Sequence, residues 1–148
     1  MISLLYQDFV RLSGLTGYSH FRVLTSGMFF AVLFVRCRTS SHFLLRIMAK
    51  FILSFCFSIE VGSKVNIGPG LFLPHPRNII LGCFSIGSNC TVMHGVTLGA
   101  RRLDFDFCED LRPKIGENCF IGVGSVVLGG GILTNGSVVK PNTYLVLE

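Results

Sequence analysis

His75 and His94 are the residues of this chain best suited to proton transfer. An alcohol hydroxyl barely ionises, so chemistry on one needs a base that titrates near neutrality, and imidazole is the side chain that does so. The two stand nineteen residues apart, each two residues after an aliphatic (Leu73 and Val92). A tetrahedral metal centre would need further ligands. Only these two of the 4 His fall in the C-terminal two-thirds, and none of the 6 Cys is spaced to complete a set, so the pair points to acid–base work without a metal. The alternatives are a pair of ordinary surface imidazoles and a non-enzymatic scaffold.

What positions them is a repeat of period six. An aliphatic residue falls at Val61, Ile67, Leu73 and Ile79. After one inserted residue near 80–85 it falls at Ile86, Val92 and Leu98, and after a longer interruption at Ile115, Ile121, Val127, Leu133, Val139 and Leu145. Gly follows at once at positions 62, 68, 87, 99, 116 and 122, and the fourth residue on is commonly small, as at Cys83, Cys90, Cys119 and Ser125. A period of six suits neither a 3.6-residue helix nor strict strand alternation. It suits a parallel β-solenoid in which each unit is a short strand and a corner, with the aliphatic inside and Gly supplying unusual corner backbone. Three units make a coil and the insertion makes it nineteen residues, so the two imidazoles are expected one coil apart, roughly 4.8 Å along the axis, on an outward phase.

The rest of the chain is read against that solenoid. Residues 58–148 form the β domain, with a charged, solvated loop extruded at 100–113. Residues 1–57 read as helices at about 3–12, 22–37 and 41–56 that cap the open end, burying Phe51, Ile52 and Phe55 on the first coil. They hold the whole formal charge of +5: Arg11, Arg22, Arg36, Arg38, Arg46 and Lys50 against Asp8 alone. A chain that is 50% hydrophobic and 14% charged is not disordered. The greasiest run, between Arg22 and Arg36, would span roughly 20 Å as a helix against a bilayer core of about 30 Å. No membrane span and no signal peptide are expected, the six Cys read as buried residues of a reducing compartment, and no nucleic-acid partner is expected.

Over 58–140 the repeat resembles the left-handed β-helix (hexapeptide-repeat) O-acetyltransferases, in particular the serine acetyltransferase and colanic acid acetyltransferase branch. The matching pieces are Ile67-Gly68-Pro69-Gly70, the surroundings of His75, Met93-His94-Gly95-Val96-Thr97-Leu98-Gly99, Pro113-Lys114-Ile115-Gly116 and Gly136-Ser137-Val138-Val139. The resemblance implies a homotrimer with acetyl-CoA in the groove between neighbouring β-helices. It implies direct transfer with His75 as base, oriented by an acidic residue fifteen positions earlier, here Glu60 where the family usually has Asp. It further implies that His94 attends the site and that Gly99, Ala100, Gly122 and Val123 line acetyl-CoA, with Lys140 or an Arg of the loop near a phosphate.

Two positions that contact the amino acid in serine acetyltransferases are occupied here by Pro74 and Arg112. Pro74 cannot pair with an ammonium, although Arg112 could still hold a carboxylate. The long helical N-terminal domain of serine acetyltransferases is expected to be absent, replaced by some 57 residues. The expected acceptor is therefore a sugar hydroxyl of a surface polysaccharide or its precursor, with serine as the alternative. The expected location is the cytoplasm, with the basic helices touching the inner face of the membrane.

Overall fold

The computed structural model describes residues 1–148. Twelve short strands build the solenoid: β1 (Ile59–Val61), β2 (Asn66–Ile67), β3 (Ile79–Leu81), β4 (Ser85–Ile86), β5 (Thr91–Val92), β6 (Thr97–Gly99), β7 (Lys114–Ile115), β8 (Phe120–Ile121), β9 (Val126–Leu128), β10 (Ile132–Leu133), β11 (Val138–Val139) and β12 (Tyr144–Val146). They stack into three parallel sheets. The first is β1-β3-β6-β9-β12, the second β2-β4-β7-β10 and the third β5-β8-β11, with Phe72 bridging to Thr91 at its lower end. Fold and repeat are those expected. The repeat's aliphatic residues point inward and are buried from Val61 to Val139, and the small residues Cys83, Cys90, Cys119 and Ser125 fill the space beside them.

The register corrects the position of the insertion. Val61 pairs with Leu81 and Leu81 with Leu98, so the unit after Leu73 gains two residues at the 74–80 corner and the unit after Leu81 loses one. The coil still totals nineteen, which preserves the phase of the two His.

The role expected of the six Gly that follow an aliphatic is also corrected. None of Gly62, Gly68, Gly87, Gly99, Gly116 or Gly122 has positive φ. At Gly68, Gly87 and Gly122 a Cβ would meet the backbone of the next coil at 2.6–2.8 Å, so Gly is required there by coil stacking. The left-handed backbone occurs three residues after the aliphatic instead, at Gly70, Asn89, Gly95, Asn118, Gly124, Gly136 and Asn142, with φ between 54° and 73°. Gly and Asn are the residues that tolerate it, and their alternation is a signal visible in the sequence.

The N-terminal segment folds into α1 (Ile2–Thr16), α2 (His20–Leu24), α3 (Gly27–Arg38) and α4 (Phe43–Ile52), continued by a π turn at Leu53–Phe57. The single helix expected over 22–37 is broken because Ser26 caps a new one, its hydroxyl accepting from the Phe29 N–H at 3.2 Å. The side chains that join the solenoid core are Ala31, Val32, Val35 and Leu53. Phe51 and Phe55, expected to cover the first coil, face outward instead.

The cap is fastened by a buried ion pair. Arg36 donates from Nε and Nη2 to the two carboxylate oxygens of Asp8, at 2.8 Å each, and from Nη1 and Nη2 to the carbonyls of Ile67 and Gly68, at 2.6 Å each. Asp8 also accepts the Leu71 N–H at 2.9 Å. Arg11 adds bonds to the Gly70 carbonyl, to the Cys90 carbonyl at 2.7 Å and to Thr91 Oγ1 at 2.9 Å. Breaking one half of a buried pair strands the other charge. Asp8→Ala is therefore expected to lower stability by about 3–5 kcal/mol in urea unfolding, and Asp8→Leu with Arg36→Met to recover part of it.

Candidate active site

His75 and His94 meet at the corner between the third and first sheets. Pro74 and Pro76 flank His75 and fix φ on either side of it. The turn is tied from below by Arg77, which donates to the Cys56 carbonyl, and from above by the Gly95 N–H, which donates to the Arg77 carbonyl at 3.1 Å. His94 lies one coil higher. The ring centroids are 5.7 Å apart with planes at 80°, an edge-to-face pair. His75 is exposed, whereas His94 Nδ1 is enclosed and has no hydrogen-bond partner. An exposed ring held against a second imidazole can take a proton from a hydroxyl at this corner.

Glu60 stands elsewhere. It projects from the middle of β1, in register with Ile80 and not with His75, and makes no hydrogen bond to either imidazole. It faces a cleft of about 390 Å³ that also holds Arg38, Lys50 and Arg112.

The residues expected at acetyl-CoA divide between two corners. Val123 is one coil above His94, whose carbonyl accepts the Gly124 N–H at 3.0 Å, and Lys140 follows on the coil above that. Gly99 and Ala100 lie at the opposite edge of the first sheet. A Cβ on Gly99 would find only Leu128 Cδ2, at 3.7 Å, so space is open there. Gly122 is filled by the next coil, as described above, and offers no such approach. Beside Ala100 the sequence reading missed a hollow of about 730 Å³, whose lining includes Arg101, Arg102, Gly129 and Gly130. The run Gly129-Gly130-Gly131 was its one sequence signal.

Comparison with known proteins fits this geometry. The family model described as the hexapeptide repeat of succinyl-transferase matches residues 114–146. The chain is 36% identical over 78 residues to serine acetyltransferase 5 of Arabidopsis thaliana, covering 52% of this chain and 24% of that protein. It is 36% identical over 76 residues to the serine acetyltransferase of Helicobacter pylori, covering 51% and 43%. The chain thus spans less than half the length of these relatives. The serine acetyltransferase structure of Neisseria gonorrhoeae superposes with a TM-score of 0.81 at 19% identity, covering 98% of this chain and 60% of that one. A serine acetyltransferase solved in complex with cysteine gives 0.82 at 21%, covering 99% and 60%. The repeat is a hexapeptide repeat, and the branch it resembles is the serine acetyltransferases.

That likeness overturns the sugar acceptor and the polysaccharide role expected from Pro74 and Arg112. The relatives matched in sequence and in structure are serine acetyltransferases, and two altered positions weigh less than a likeness of this extent. The helical segment is not a foreign replacement either, since superpositions covering 98% and 99% of the chain include it.

Arg112 has a different occupation from the one expected. Its Nε donates to Asp104 at 2.6 Å, Nη1 to the Gly82 carbonyl at 2.6 Å and Nη2 to the Asp104 carbonyl at 3.0 Å, and the guanidinium stacks on Phe107. It clasps the 100–113 loop to the solenoid, so that loop is fastened and not simply solvated. The cysteines divide too. Burial pushes the Cys83 thiol up to about 12 and the Cys90 thiol up to about 11, which makes them inert filling, whereas Cys56 and Cys108 are exposed.

Burial works to raise the Asp104 carboxyl, but the Cys108 N–H and the Arg112 guanidinium outweigh it and hold the carboxyl below its ordinary value. A depressed carboxylate stabilises the fold above its unfolded value and ceases to as pH falls through the folded one. The thermal midpoint of Asp104→Asn is therefore expected to lie below that of the native protein at neutral pH, with the gap closing as pH falls below about 4. A gap independent of pH would show that the clasp does not depend on this charge.

Proposed function

We propose that this protein transfers the acetyl group of acetyl-CoA to the side-chain hydroxyl of serine. The observation that carries the proposal is the edge-to-face pair of His75 and His94, 5.7 Å apart at a solenoid corner. The likeness in sequence to serine acetyltransferases supports it.

His75, the exposed ring, takes the proton as serine Oγ forms its bond to the thioester carbonyl carbon. The C–S bond then breaks, and the departing CoA thiolate takes the proton back from the imidazolium, so the base is regenerated. His94 backs His75 and holds the attitude of its ring. Acetyl-CoA, a substrate here, is assigned to the groove between neighbouring subunits, where the open edge at Gly99 and Ala100 of one would face the His75 corner of the next, with Arg102, which forms no salt bridge, available to its phosphates. The working unit is proposed to be a cytoplasmic homotrimer. In support, Ile80 and Tyr144 on the first sheet and Phe120 and Val138 on the third are exposed, which gives neighbouring solenoids apolar surface to pack upon.

The test is release of CoA thiol from acetyl-CoA in the presence of serine. His75→Ala is expected to cut turnover by about 10²–10⁴-fold without loss of fold. Activity within a few-fold of the native protein would remove His75 from the role, and no thiol release with serine would remove the reaction. Gly99→Val, which its open surroundings accommodate, is expected to weaken acetyl-CoA binding in calorimetry while leaving the unfolding midpoint nearly unchanged.

A further inference from the structure

The outer face of α4 and of the π turn that continues it is an apolar stripe that nothing else in residues 1–148 covers. Leu44, Met48, Phe51 and Phe55 follow one another at helical spacing and are 74%, 60%, 57% and 82% exposed. The rings of Phe51 and Phe55 stack on each other at 6.3 Å instead of packing inward. The inner face is satisfied separately, since Ala49 and Leu53 are buried.

Beside the stripe is a concentration of unpaired positive charge. Arg38, Arg46 and Lys50 line a hollow of about 220 Å³ together with Phe43 and Ile47. None of the three takes part in a salt bridge, and Arg38 Nε is enclosed with no hydrogen-bond partner. Burial and the charge of Arg46 both lower the Arg38 pKa, as expected of cations gathered without a counter-ion. No Asp or Glu occurs between Asp8 and Glu60. Of the residues lining the adjoining cleft, Glu60 is the acidic one.

We propose that α4 docks on a membrane surface rich in anionic phospholipid, inserting Leu44, Met48, Phe51 and Phe55 among the acyl chains while Arg38, Arg46 and Lys50 receive lipid phosphates. An amphipathic helix with an apolar face and a cationic flank lies in the interface and does not cross it, and no helix of this protein is long and apolar enough to cross. The charge argues against a second copy as occupant. A twofold dimer through α4 would set each subunit's stripe and cationic flank against the partner's, with no acidic residue of this segment to offset them. Arg38, Arg46 and Lys50 are a subset of the six cations of the N-terminal segment, and Arg36 is not among them because it is spent on Asp8 inside the cap.

The test is cosedimentation of the full chain with vesicles of phosphatidylcholine alone and of phosphatidylcholine mixed with phosphatidylglycerol, at low and high salt. Binding is expected to the mixed vesicles only and to weaken with salt. Arg46→Gln with Lys50→Gln is expected to weaken it about fivefold per charge removed. Leu44→Ser with Phe55→Ser, both at exposed positions, is expected to abolish it. Absence of binding at low salt, equal binding to phosphatidylcholine alone, or an unaffected charge variant would each overturn the proposal. So would a concentration-dependent dimer in sedimentation that the Leu44/Phe55 variant dissolves while vesicles are ignored. The assay uses no acetyl-CoA or serine, so its outcome is separate from that of the reaction proposed above.

Discussion

Arg36 reaches from α3 through Asp8 on α1 to the carbonyls of Ile67 and Gly68 in the first coil, and both charged side chains are withdrawn from water. A solenoid has an open end, where the first coil would otherwise expose its apolar interior and unpaired backbone groups. Hydrophobic contact from Ala31, Val32, Val35 and Leu53 covers the interior, but it cannot satisfy carbonyls. The guanidinium can, because it carries several donors in one plane. Asp8 neutralises the charge that would otherwise be too costly to bury. Breaking one half of this pair would loosen the cap, and with it the geometry of what rests on the first coil.

The site depends on that coil. His75 occupies a corner whose backbone is tied by Arg77 to Cys56, the end of the helical segment, and by the Gly95 N–H to the coil that carries His94. The two imidazoles are thus placed by stacking, the repeat's strongest constraint, and not by a flexible loop. Stacking leaves so little room that Gly68, Gly87 and Gly122 have backbone where a side chain would begin. The 100–113 loop is fixed differently, by one guanidinium bound to Asp104 and to the Gly82 carbonyl. Its position is therefore set by charge, whereas the corner of the His pair is set by packing.

Much of the fold was legible in the sequence because the repeat is a periodic packing demand. An inward aliphatic every six residues, from Val61 to Val139, has few three-dimensional solutions, and the phase it set for His75 and His94 is the one observed. Local exceptions were less legible. Two residues added at 74–80 and one lost before Ile86 give the same coil length as a single insertion, so only the pairing of Val61 with Leu81 reveals them. At Gly68, Gly87 and Gly122 the requirement is spatial and not conformational, and the next coil's backbone that imposes it is invisible to a linear reading.

What the sequence determined by itself was the period, and through it the solenoid, the inward residues and the shared corner of the two His. What tertiary structure decided was which charges are paired and with what. Arg36 and Arg112 read as surface or substrate cations until Asp8 and Asp104, 28 and 8 residues away, were seen to hold them. Glu60, fifteen residues before His75, lies on a different part of the coil. Phe51 and Phe55 were expected inside and Leu53 covers the core instead, because helical phase fixes the stripe but not which side the solenoid occupies. Periodicity is a property of the chain alone, whereas the pairing of charges and the choice of buried face depend on what the fold brings alongside.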